Sequence, residues 1–183
     1  MRATKWPHAS LFAGSLACFF ASGSASAEGV PFGSRDARSV FIVTKSENKN
    51  QVHYGVHLDA LCKPIGSAPV FGYWRMLEGR GEIEPILPLE EAAYGVSDGQ
   101  TIERGLDTTT IRMKLRAFSH RPLAIVVKRI NGRCDAVATG KIAGTDARIL
   151  SVHVKLRWPF GIEYLLVRGL DAEHRSIEEF VRN

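Results

Sequence analysis

The sequence predicts a mainly β protein: an antiparallel meander closing into a barrel, or alternatively a β-sandwich, with one short internal helix and a C-terminal helix. Three observations carry this. From residue 39 on, the chain breaks into some eight or nine short apolar runs punctuated by turn residues at hairpin spacing. Two of these runs, 111–118 and 148–158, alternate apolar and polar residues with the period of two that puts them on opposite faces of a sheet. Helical spacing occurs only in two short places. A sheet of that many strands curls or folds over itself, and closure would remove its open edges.

Val40–Lys45 and Gln51–Leu58 flank Glu47-Asn48-Lys49-Asn50 and read as a hairpin; in the second strand Val52, Tyr54, Val56 and Leu58 alternate with His53, Gly55, His57 and Asp59. Val70–Leu77 is a third strand, rich in aromatics. Pro88–Tyr94 reads as a short helix, with Pro88 in its first turn and Gly95 as its stop. Thr101–Leu106 is a weak strand and Ile111–Phe118 a clear one, with Arg112, Lys114 and Arg116 pointing outward. Leu123–Ile130 and Arg133–Ile142 surround Asn131-Gly132, the strongest two-residue hairpin signal in the chain. Arg148–Trp158 sets Val152, Val154, Leu156 and Trp158 against Ser151, His153, Lys155 and Arg157, and Pro159-Phe-Gly161 turns the chain into Ile162–Arg168. Ile177, Phe180 and Val181, spaced i, i+3, i+4, predict a docked C-terminal helix.

Residues 1–27 read as a cleavable signal peptide: Arg2 and Lys5, an apolar run from Leu11, then Ala25-Ser26-Ala27 before Glu28. The run is about 12 residues, short of the ~20 a spanning helix needs, so no transmembrane span is expected in the mature chain. Cys18 goes with the discarded segment, because Ser15 stands where a lipoprotein signal wants an apolar residue. Residues 28–38 are a flexible lead-in and 39–183 a single β-rich domain, periplasmic or secreted. Two cysteines remain, Cys62 and Cys134. In an oxidising compartment an even count predicts one disulfide.

Asn48-Lys-Asn50 leading into Val52-His-Tyr54, then Pro69-Val70-Phe-Gly-Tyr73-Trp74, then Ala93-Tyr94-Gly95 form an ordered set. It resembles the domain of unknown function 4833, a family of mostly bacterial, often secreted proteins, over roughly residues 39–168. The family brings no established activity, so the resemblance implies only that these three motifs matter to the domain.

The chain lacks His-Glu-x-x-His, Gly-x-Ser-x-Gly and a phosphate-cradling glycine loop. His53 and His57 lie about 13 Å apart if they sit on a strand, too far for shared zinc. Glu82 and Glu84 fall in a turn region, and His120 beside Ser119 is a loop pair. No catalytic residue, metal or cofactor is assigned. Charge is the unusual property: residues 112–168 hold twelve Lys/Arg against three acids, a net +9, whereas residues 28–111 sum to −4 and 169–183 to −2. Arg112, Lys114 and Arg116, with Lys155 and Arg157, predict a surface for an anionic envelope component, the competing reading being a solvated face neutralised by the acidic first half. An exported chain without a recognition motif points away from nucleic acid. Tyr54 with Tyr73 or Trp74 could line a barrel holding a small apolar ligand, since neighbours on a strand face opposite ways. An envelope hydrolase with an unrecognised site is the alternative from another class.

Overall fold

The computed structural model describes residues 39–45, 48–97, 99–157 and 162–182. The expected signal peptide 1–27 with Cys18, the expected lead-in 28–38, Trp158 and the expected turn at Pro159-Phe-Gly161 lie outside the described residues.

Eleven strands form one mixed sheet: β1 (Phe41–Lys45), β2 (Gln51–Val56), β3 (Val70–Met76), β4 (Glu82–Pro85), β5 (Thr101–Arg104), β6 (Thr108–Met113), β7 (Leu123–Ile130), β8 (Arg133–Ile142), β9 (Thr145–Leu156), β10 (Ile162–Leu170) and β11 (Ser176–Arg182). A single α-helical turn, α1 (Glu91–Tyr94), and a 3-10 turn (Arg116–Phe118) complete the elements.

The branch point is β9, the longest strand. Residues 151–154 pair with β1 and, on the other side, with β10, while residues 148–149 pair with β8 and β10. β1 and β8 therefore share one edge of β9, each taking half of it. β1 joins in parallel, which makes the sheet mixed. Two wings leave that edge, β1-β2-β3-β4 and β8-β7-β6-β5, and β11 extends the opposite side through β10. The sheet does not close into a barrel: β4, β5 and β11 are left as edges. Each carries charges that discourage edge-to-edge pairing, Glu82 and Glu84 with Pro85 on β4, Glu103 and Arg104 on β5, Glu178 and Arg182 on β11.

Both wings contribute to one hydrophobic cluster. Phe41, Val52, Tyr54 and Trp74 come from the first, Ile111, Ile125 and Ile142 from the second, and Ile149, Val152 and Val154 from β9. The alternation seen in the sequence is the origin of this face, because residues two apart on each strand point the same way. Cys62 and Cys134 form the anticipated disulfide, with Cα atoms 5.3 Å apart. It ties the loop after β2 to the start of β8, and so one wing to the other.

Three expectations are corrected. The C-terminal segment is strand β11, paired with β10 from Tyr164↔Arg182 to Leu170↔Ser176. Its apolar spacing also fits a strand: Ile177 and Val181 pack against the core while Phe180 turns to the other face against Tyr164, ring centroids 4.5 Å apart. The strand expected over 111–118 stops at Met113, since Leu115 and Phe118, both buried, are three apart and suit the 3-10 turn between them. Glu82 and Glu84 lie on edge strand β4, not in a turn.

Candidate anion-binding groove

A concavity of about 920 Å³ lies where the β8–β9 hairpin meets the β10–β11 turn. The hairpin turns on Ala143-Gly144, both with positive φ (49° and 81°), the two-residue geometry that Asn131-Gly132 also adopts (50° and 75°). The β10–β11 turn is built by Asp171. Its Oδ1 accepts the amide N–H groups of Glu173 and Arg175 at 3.0 and 2.9 Å, and His174 takes the left-handed conformation at φ 61°. Burial of the Asp171 carboxyl opposes its ionisation, but the main-chain and side-chain hydrogen bonds from Arg175 and its charge outweigh that and hold the pKa below the usual range.

Strand register crosses the groove with one row of residues: Arg112 on β6, Ala124 on β7, Thr139 on β8 and Arg148 on β9. Three strand steps separate the two arginines, about 14 Å between Cα atoms, and the small Ala124 and Thr139 leave the floor between them open. Most groove cations are engaged. Arg112 Nε and Nη2 meet both Glu103 oxygens at 2.6 and 3.2 Å, Lys141 lies 3.2 Å from Asp146, and Arg121 forms a two-point pair with Glu179. That pairing, together with the Ala143 N–H at 2.8 Å, overcomes partial burial and holds Glu179 below the ordinary carboxylate range. Arg148 differs. Its side chain is exposed and makes no ion pair or hydrogen bond among the described residues.

Of the basic residues singled out in the sequence, the structure brings only Arg112 to this groove. Lys114 lies past the end of β6, and Arg116 sits in the 3-10 turn 3.7 Å from Glu91. Lys155 lies on the far half of β9 opposite Tyr164, about 23 Å along the strand from Arg148 by strand rise, and Arg157 lies just past the strand's end. The two rows do not meet. Arg148 was missed because its importance rests on register with Arg112 through two intervening strands, for which the sequence holds no local signal.

The aromatic residues go elsewhere. Tyr54 is fully buried and donates its hydroxyl to the Tyr94 carbonyl at 2.7 Å; burial pushes its pKa far up. Trp74 faces the same core, edge-on to Tyr94 with centroids 5.0 Å apart, and donates its indole N–H to Glu90 at 2.8 Å. Tyr73 faces the opposite side of the sheet, stacked between His53 and Phe71. The void beside Tyr54 measures about 20 Å³, close to the space of a single water. No group of three His, Cys, Asp or Glu is placed to hold a metal among the described residues, and His53 has burial, with Arg75 adding to it, to lower its pKa.

These contacts bring three separate segments into one cluster. Tyr54 reaches Tyr94, Trp74 reaches Tyr94 and Glu90, and Asn50, the one buried polar residue described, accepts the Glu78 N–H at 3.1 Å. A family described as domain of unknown function (DUF4833) matches residues 41–179. The chain belongs to the DUF4833 family. Its match spans all eleven strands up to the middle of β11, so the branched sheet described above is this DUF4833 domain. No curated protein and no solved structure shows significant similarity to the chain.

Proposed function

We propose that this DUF4833 protein is a non-catalytic binding domain of the bacterial cell envelope that takes a small phosphate- or carboxylate-bearing ligand in the groove at Arg148. The observation that carries the reading is the unpaired Arg148 guanidinium in one row with Arg112, over a floor of small residues. A guanidinium presents a planar fork of donors that suits a phosphate or carboxylate at two points. The neighbouring pairs Arg112–Glu103 and Lys141–Asp146 are more than half exposed. Such pairs are worth little, so a doubly charged ligand can draw Arg112 and Lys141 toward itself. The Cys62–Cys134 disulfide supports an oxidising compartment, as the signal segment does.

Inorganic phosphate is a sufficient probe. Calorimetric titration of the exported protein at low salt should show saturable binding, with Arg148→Ala weakening it about tenfold or more, the worth of a charged hydrogen bond. Unchanged affinity in that variant would sink the proposal.

A further inference from the structure

We infer that the opposite end of the second wing is a docking face for an anionic lipid bilayer. The β5–β6 turn and the β7–β8 turn lie at one end of the sheet, because Thr108 pairs with Lys128 and Ile130 with Arg133. The Cys62–Cys134 bond adds the loop that follows β2 to the same end. A large apolar side chain stands out in solvent in or beside each of these three connections: Leu106 is 104% exposed, Leu61 57% and Ile130, the last residue of β7, 48%.

Local structure holds these side chains out. Asp59 Oδ1 accepts the N–H groups of Leu61 and Lys63 at 2.9 and 2.7 Å, and Cys62 sits at φ 64°, next in sequence to Leu61 and bonded across to β8. The turn Asp59-Ala-Leu-Cys-Lys63 repeats the geometry of Asp171-Ala-Glu-His-Arg175, with a disulfide added. The Ile130 tip rests on the two-residue Asn131-Gly132 turn.

Around these tips stand Lys63, Arg104, Lys128, Arg129 and Arg133. All are exposed, and none makes an ion pair among the described residues. The acids nearby are Asp107, Asp135 and Asp59, the last already engaged by its own turn. Isolated apolar tips on separate loops, ringed by cations, make a poor flat contact with a protein. They match a bilayer, where each tip enters the acyl boundary and the cations meet lipid phosphates. Its tip at Ile130 lies about 20 Å along β7 from Ala124 in the phosphate groove, by strand rise, and the face does not depend on the groove.

Co-sedimentation with vesicles tests the idea, comparing pure phosphatidylcholine with a mixture holding 30% phosphatidylglycerol (a proportion of about one anionic lipid in three gives the negative surface intended). The protein should pellet with the anionic vesicles only, and high salt should release it. Each lysine or arginine near such a surface is worth about fivefold, so Lys128→Gln with Arg129→Gln should weaken binding about 30-fold. Leu106→Ser should weaken it as well, and both variants should keep the phosphate affinity of the groove. Absence of anionic-vesicle binding, equal binding to both vesicle types, or unaltered binding by both variants overturns the inference. So does a concentration-dependent dimer abolished by Leu106→Ser, which would make a second copy of the chain the occupant. Phosphate binding that persists while vesicle binding fails separates this failure from that of the groove.

Discussion

Removing the disulfide by Cys62→Ser with Cys134→Ser should lower stability by about 4 kcal/mol or more, most of it through the unfolded chain. The bond closes a loop between residues 72 apart. For a loop of that length, chain entropy returned to the unfolded state on opening it amounts to about 15 cal/mol/K, or about 4 kcal/mol at 25 °C. The folded state loses less: Cys134 is only partly buried and each wing keeps its own strand pairing, while a serine hydroxyl at Cys62, which is buried in the core cluster, adds to the cost. Urea unfolding followed by tryptophan fluorescence reads the change. With a slope near 2 kcal/mol per M, the midpoint should fall by about 2 M. The slope itself should rise in the variant, since the unlinked unfolded chain exposes more surface. Reduced wild-type protein should unfold like the variant. A midpoint drop under about 0.5 M with an unchanged slope would refute the reasoning, and would mean that the two wings hold together without the crosslink.

Gly169→Ala should cost about 2 kcal/mol or more, because an added Cβ would stand 2.2 Å from the Arg148 carbonyl oxygen and 2.7 Å from Ile142 Cδ1; a thermal melt within about 1 °C of wild type would contradict this close approach of β10 to β9. Glu179→Gln tests the Arg121 pair through pH. The folded Glu179 pKa lies below the unfolded value of 4.5, so its contribution is complete above pH 4.5 and is lost as pH falls through the folded value. Wild type should therefore exceed the variant in urea midpoint at pH 7, with the gap closing on acidification, and a gap independent of pH would contradict the assignment.

The strands that follow local rules were legible in the sequence. Leu123–Ile130, Asn131-Gly132 and Arg133–Ile142 stand where the alternation and the Asn-Gly turn put them. The partner hairpin at Ala143-Gly144 was not visible, because alanine rarely takes φ near 49° and gives no turn signal of its own. At the C-terminus the spacing of Ile177, Phe180 and Val181 suits a helix and a strand alike. What decides is β10, an unsatisfied edge seven pairs long, and the Asp171 turn that sends the chain back along it. That turn repeats the Asp-Ala-x-x-basic pattern of Asp59–Lys63, and the repetition within one chain was the available clue. The division of one β9 edge between β1 and β8 has no local signature at all, because it joins residues more than a hundred positions apart. The barrel expectation failed on that point, and with it the grouping of Arg112 with Lys155.

The net +9 of residues 112–168 reads as one basic face in the sequence, and folding redistributes it. Arg112 and Arg116 meet Glu103 and Glu91 from the acidic first half, Arg121 and Arg168 meet Glu179 and Glu178 from the C-terminal strand, and Lys141 meets Asp146. Neutralisation by the acidic segments is thus real for part of the excess. The cations left without an ion partner among the described residues include Lys128, Arg129 and Arg133 at one end of β7–β8 and Arg148 toward the other. Lys128 to Arg133 stand four to six residues from the Arg148 row, about 13–20 Å by strand rise, still beyond the ~8 Å over which charges act in physiological salt. Two anions bound there would not feel each other, so phosphate in the groove should neither strengthen nor weaken attachment to a charged bilayer.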